Sequence, residues 1–142
     1  MLFDSWASAV PAAQRDWLLT KPARAIVEGV RKNGYNQPII GFPKGIGEGL
    51  IRYAAESGID AIGLDHGVDP VWAGQNLPAK MPVQGNLDPL CLLNAGTEMF
   101  QDIDHILDAF HDRPHIFNLG HGITPPTPVE NVQKMIDHIR NR

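Results

Sequence analysis

Cysteine occurs once in the sequence, at Cys91, so the chain cannot close an internal disulfide or build a cysteine-based zinc set. Positive charge is also in deficit. Twelve basic residues stand against sixteen acidic ones, a net charge of −4, and the charges are dispersed rather than blocked. That removes the basic face that nucleic acid or an anionic membrane surface requires. No apolar run approaches the ~20 residues of a membrane span. The opening MLFDSWASAV has neither the basic segment nor the apolar core of a secretory signal. Together these absences predict a protein of the reducing cytoplasm, with no nucleic acid and no membrane as partner. An acidic total leaves acidic small molecules open as substrates, because a pocket can differ in charge from the whole.

The remainder has the composition of a globular protein: 43% apolar and 20% charged over 142 residues, enough for one domain. Short apolar runs alternate with segments of helical spacing. Pro38–Phe42, Ala61–Asp65, Pro82–Asn86 and His115–Gly120 read as strands, apolar on both faces and so suited to a parallel sheet covered by helices. Met1-Leu2-Phe3 reads as the end of a further strand, as though cut from a longer chain.

Between the strands, Pro22 opens a helix with Ile26, Val27 and Val30 on one face, stopped at Asn33-Gly34. Ile46, Leu50 and Ala54 repeat every four residues, and Phe100, Ile103, Leu107 and Phe110 form one stripe. Thr127-Pro128 with Glu130 reads as a capping box for a last helix whose inner face is Val132, Met135, Ile136 and Ile139. Asp69-Pro70 and Asp88-Pro89 read as two more helix starts. The alternation predicts an α/β fold with parallel strands, and the whole chain, 1–142, reads as one piece of it.

Each strand ends in polar groups: Asp4 and Ser5, Lys44, Asp65 and His66, Asn86 and Asp88, and His121. In a (β/α)8 barrel the carboxyl ends of the strands converge on one mouth, where catalytic groups collect. Helix capping explains Asp88 equally well. Ser5 and His121 precede no obvious helix start, which makes them the stronger site candidates. His105, His111, His115 and His138 read as surface residues.

Three strings then carry a resemblance: Leu2-Phe3-Asp4-Ser5-Trp6, Gln84-Gly85-Asn86-Leu87-Asp88-Pro89 and Asn118-Leu119-Gly120-His121-Gly122-Ile123. In order and spacing they resemble signatures of the uroporphyrinogen decarboxylases, and Gly63-Leu64-Asp65 and Thr127–Val132 fit the same family. The resemblance implies the C-terminal portion of a (β/α)8 TIM barrel, cytoplasmic and homodimeric in the full-length parent. It implies uroporphyrinogen III as substrate, coproporphyrinogen III as product, and no metal or organic cofactor. By the same resemblance Ser5 is the substrate-binding serine, His121 the substrate-binding and catalytic histidine, and Phe3 a pocket aromatic. The family's arginine-rich motif, the aspartate that grips the pyrrole N–H groups, and its tyrosine have no counterpart in these 142 residues. The isolated chain is therefore expected to be inactive. His66 stands where the family often has tryptophan.

Three other readings stay open on the sequence. A zinc-dependent methyltransferase of the same barrel superfamily would need thiolate ligands, and the only thiol is Cys91. A dinucleotide-binding domain is suggested by Gly45-Ile46-Gly47-Glu48-Gly49-Leu50 with Asp65 about 20 residues on, although Leu50 occupies the third fingerprint position. The third is a barrel remnant that serves as a binding module without catalysis.

Overall fold

The β-branched and aromatic runs settle as strands, and each pairs with the next one along the chain. A computed structural model describes residues 1–142. It contains β1 (Leu2–Asp4), β2 (Ile40–Pro43), β3 (Ala61–Gly63), β4 (Val83–Leu87) and β5 (His115–Leu119). All pairings are parallel and the sheet order is β1-β2-β3-β4-β5. The helices are α1 (Lys21–Lys32), α2 (Gly49–Glu56), α3 (Pro70–Asn76), α4 (Pro89–Asn94), α5 (Thr97–Ala109) and α6 (Val129–Arg140). No helix is long and apolar enough to cross a membrane.

Strand order follows chain order, and crossovers between parallel strands are right-handed, so successive helices return to the same side of the sheet. The strands are therefore covered by helices on one face only, although their residues are apolar on both. One register row, Leu2–Gly41–Ile62–Val83–His115, faces the helices. Ile62 and Val83 in it are fully buried. Gly41 leaves no room for a side chain, since a β carbon there would lie 2.8 Å from the Tyr53 ring of α2. The opposite row pairs Phe3 with Phe42 and Gly63 with Gln84 and Ile116. This face is open: Phe3 is 69% and Ile116 49% exposed.

The helix starts obey their local signals in three of four cases, Pro22 falling in the first turn of α1. Asp69 and Asp88 each accept a backbone N–H, from Trp72 at 2.7 Å and Leu90 at 2.8 Å, and a proline follows each cap. The last start differs from the expected capping box. Pro128 is extended, with φ −62° and ψ 140°, and α6 begins only at Val129 without a side-chain cap. The Thr127 hydroxyl is held instead by Thr124, Oγ1 to Oγ1 at 2.7 Å.

Two apolar stripes are also rotated from their expected positions. In α1 the buried residues are Ala23 and Val27, while Ile26 is half-exposed. In α5 they are Met99, Ile103 and Ile106, with Phe110 at the C-cap; Phe100 and Leu107 flank the core. In α6 the only fully buried residue is polar: Asn131 donates to the carbonyls of Leu92 (3.0 Å) and Leu93 (2.9 Å), tying α6 to α4. Arg113 acts in the same way at the other end of the sheet, donating to the carbonyls of Ala73, Pro78 and Met81 ahead of β4.

Candidate functional site

The open face of the sheet forms one wall of a cavity of about 510 Å³ near the carboxyl ends of the strands. Ser5 lies just beyond β1 and His121 just beyond β5, at opposite edges of the sheet, and both line this space. Phe3, Gln84, Asn118 and Ile123 line it with them. Phe3 meets Phe42 edge-on, with ring centroids 6.1 Å apart, which gives the wall an aromatic floor. No Asp, Glu, Lys or Arg side chain is among the lining residues. Half of the lining residues are apolar, and Ser5, Gln84, Asn118 and His121 supply the hydrogen-bonding side chains.

The remaining strand-end groups point elsewhere, which corrects the expectation of a single converging set. Asp4 turns to the helix side beside buried Tyr53. Burial first, and the Asp4 charge second, push that phenol up to about 12. Lys44 and His66 do not reach the cavity either.

Asp65 is buried, and its carboxylate is fully engaged by backbone: Oδ2 accepts from Gly45 N at 2.8 Å and Oδ1 from Gly67 N at 2.9 Å. Buried Asn86 donates through Nδ2 to the carbonyls of Asp65 (3.0 Å) and Val68 (2.7 Å). These two side chains strap the loops after β2 and β3 to each other and to β4. They are a rim, not a reaction centre. Asp88 is a helix cap.

Sequence reasoning missed Gln84 and Asn118. The signal was available in the period of two along a strand. If only one face of the sheet is covered, Gln84 in β4 and Asn118 in β5 fall on the open one. Attention to the strand ends alone passed over them.

The same geometry weighs against the dinucleotide and zinc readings. Gly45 N–H is committed to Asp65, and α2 begins only at Gly49, so the glycine run opens no helix onto a pyrophosphate. Cys91 lies in α4, away from His121, with its Sγ donating to Asp102 at 3.2 Å. Burial, followed by that acidic neighbour, pushes the thiol up to about 12, the reverse of what a thiolate ligand needs.

The profile of the family described as uroporphyrinogen decarboxylase (URO-D) matches residues 1–142. The chain belongs to the uroporphyrinogen decarboxylase family. It is 50% identical over 140 residues to the uroporphyrinogen decarboxylase of Novosphingobium aromaticivorans, covering 98% of this chain and 41% of that protein. The corresponding protein of Sphingopyxis alaskensis is 52% identical over 139 residues, with 98% and 41% covered. That of Maricaulis maris is 49% identical over 141 residues, with 99% and 41% covered. The chain thus spans about two-fifths of the length of the relatives it matches.

One family segment acquires a support that the sequence did not predict. His115, expected at the surface, is half-buried, with its Nε2 2.7 Å from the Gly85 carbonyl and its ring 4.8 Å from that of Phe110. His111 and His105 are exposed as expected, whereas His138 is partly buried against Asp104 at 2.8 Å. Burial holds the His115 pKa below its ordinary 6.5, opposed by the Gly85 carbonyl and reinforced by Arg113. The neutral ring donates through Nε2 and fixes the β4 backbone next to Gln84.

The unfolded chain, with the ordinary pKa, takes up this proton first as pH falls. The His115 contribution to stability is therefore complete above about pH 6.5 and is lost as pH drops from there through the folded value. Within a full-length family member carrying these residues, the His115→Gln variant keeps a donor without a titrating group. It should lose less stability than the parent between about pH 7.5 and pH 5, read from denaturant midpoints. Parallel losses would assign the pH dependence to other groups.

Proposed function

We propose that this chain is the later-strand part of a (β/α)8 uroporphyrinogen decarboxylase domain, working in the cytoplasm within a homodimeric, full-length enzyme. In this reading it helps remove the four acetate carboxyl groups of uroporphyrinogen III to give coproporphyrinogen III. The observation that carries the reading is the meeting of Ser5 and His121. They belong to motifs at opposite ends of the sequence, and they line one cavity against Phe3 and Ile123. A sheet in sequential order with its helices on one side is also how a barrel wall is laid out.

The chemistry suits such a wall. A carboxylate can leave as carbon dioxide only if the electron pair it abandons has a sink. A pyrrole protonated at carbon is cationic and supplies that sink itself, so the reaction requires no added cofactor. The protein has to orient the acetate, deliver a proton and stabilise the cation. Ser5 offers a hydroxyl to a substrate carboxylate. His121 contacts the carboxylates of the macrocycle and is suited to proton transfer, since imidazoles titrate near neutrality. The apolar residues take the flank of the macrocycle. Stabilising the cation falls to groups outside these residues, which is why the isolated chain is expected to be inactive.

The test places these 142 residues in the Novosphingobium aromaticivorans enzyme in exchange for its matching segment. The chimera should convert uroporphyrinogen III to coproporphyrinogen III, and the chain alone should show no turnover above background. Turnover by the homogeneous isolated chain would refute the division of labour. A folded chimera that neither binds nor decarboxylates the substrate would refute the assignment. In the active chimera Ser5→Ala should cost about 0.5–1.5 kcal/mol, a roughly two- to tenfold rise in KM. Unchanged kinetics would leave Ser5 without a role in binding.

A further inference from the structure

Two amides line the cavity beside Ser5 and His121, and neither has a role in the reading above. Asn118 sits in β5, three residues before His121, with its side chain on the open face. Its Oδ1 accepts the backbone N–H of Leu119 at 2.8 Å. A backbone N–H can only donate, so the atom facing it must be the amide oxygen, and this contact fixes which way the amide is turned. The NH2 group is left on the other side, without a protein partner. Gln84, in β4, occupies the same face of the sheet, and its amide also makes no hydrogen bond within the chain. The wall carries no Lys or Arg side chain, so the contacts that this chain can offer a carboxylate come from other donors. The donors present are the Ser5 hydroxyl, the His121 ring and these two amides.

We propose that Asn118, assisted by Gln84, is a substrate-positioning residue that donates amide N–H groups to a carboxylate of the macrocycle, between the contacts made by Ser5 and His121. The proposal rests on the decarboxylase reading and extends it. The Leu119 N–H orients the side chain, and the opposite end of the amide binds the acid. The amide does not titrate, so it stays uncharged and keeps its donors at every working pH. Asn118 thus supplies a fixed point against which an acetate is held while His121 exchanges protons.

The deciding variant is Asn118→Asp in the full-length chimera. Aspartate still accepts from Leu119 N, so the local fold is preserved, but its second oxygen presents negative charge where Asn118 presents N–H. The expected result is a KM for uroporphyrinogen raised about ten- to hundredfold, with a smaller change in kcat and an unchanged melting temperature. The defect should shrink as pH falls toward the carboxyl pKa and the second oxygen gains a proton. Gln84→Glu should behave in the same direction with a smaller effect.

A merely structural Asn118 predicts the opposite pattern: Asn118→Asp at parental KM, and Asn118→Ala with a lowered melting temperature. That outcome overturns the proposal. Should the chimera prove inactive, fluorescence titration with uroporphyrin, the oxidised macrocycle with the same carboxylates, is the second readout. Weaker binding by Asn118→Asp than by the parent supports the inference. Equal binding overturns it. Absence of binding by the parent overturns both it and the functional reading beneath it.

Discussion

Gly120→Ala is expected to be strongly destabilising, since a β carbon there meets closer atoms than at any other glycine of the chain. A β carbon at position 120 would lie 2.7 Å from His66 Cα and 2.8 Å from Asp65 C, and closer still to the His66 backbone nitrogen. These are backbone atoms, so no rotamer change relieves the clash. Asp65 itself is pinned by Gly45, Gly67 and Asn86, which keeps its loop from moving aside. Gly120 N also donates to Leu87 O at 2.8 Å, which fixes β5 against β4 at that point. Overpacking of this kind costs about 1–3 kcal/mol or more. Because the next residue is His121, the displacement that does occur carries the imidazole with it. In the full-length chimera the expected outcome is a markedly lower denaturation midpoint and kcat/KM reduced about tenfold or more. By contrast, Gly122→Ala, where a β carbon meets nothing within 4 Å, should leave stability unchanged. Equal stability of the two variants would mean that the contact between the loop after β3 and β5 is not as tight as described.

The second large effect is expected at His121. Asparagine in its place keeps a hydrogen-bond donor and loses the imidazole. Substrate binding should be partly retained, while kcat/KM falls about 10²-fold, the contribution of a positioned proton-transfer group. The four acetates leave from differently placed rings, so the loss should differ from step to step and partly decarboxylated porphyrinogens should accumulate. A histidine acting as a metal ligand would behave otherwise: activity would vanish uniformly, and a chelator would reproduce the defect. Parent and His121→Asn chimeras assayed with and without EDTA, with intermediates resolved by chromatography, separate the two. Inhibition of the parent by EDTA that zinc restores would replace decarboxylation with metal-assisted chemistry.

Both residues belong to a string whose importance was visible in the sequence, and the reason is local. Asn118–Ile123 mixes strand-forming residues with polar groups at a strand end, where an α/β fold exposes chemistry, and the strand was found where it was read. The Asp-Pro starts of α3 and α4 were equally legible, because a cap and its proline act within one helical turn. Three things were not, and each depended on a neighbour distant in the chain. The open face of the sheet is a property of strand order, which apolar content does not encode, so Gln84 and Asn118 were not singled out as lining a site. Asp65 and Asn86 looked like members of a site because the Gly45 N–H that engages Asp65, and the Asp65 and Val68 carbonyls that engage Asn86, are brought up only by folding. His115 looked like a surface residue because the Gly85 carbonyl and the Phe110 ring lie on other elements. The cap of α6 failed for a local reason: Pro128 is held extended, so Thr127 stands one residue too early.

The strand order has one further consequence, for the way this segment is made. Leu2 pairs with Gly41, Ile40 with Ala61, Ile62 with Val83, and Val83 with His115. No strand waits for a partner beyond the one that immediately precedes it. As the polypeptide leaves the ribosome, each strand meets an edge already formed and leaves a new edge for its successor. Parallel pairing is slow when it must close long loops. Here each closure spans a single crossover, so this part of the chain can assemble stepwise during synthesis, at the pace of translation.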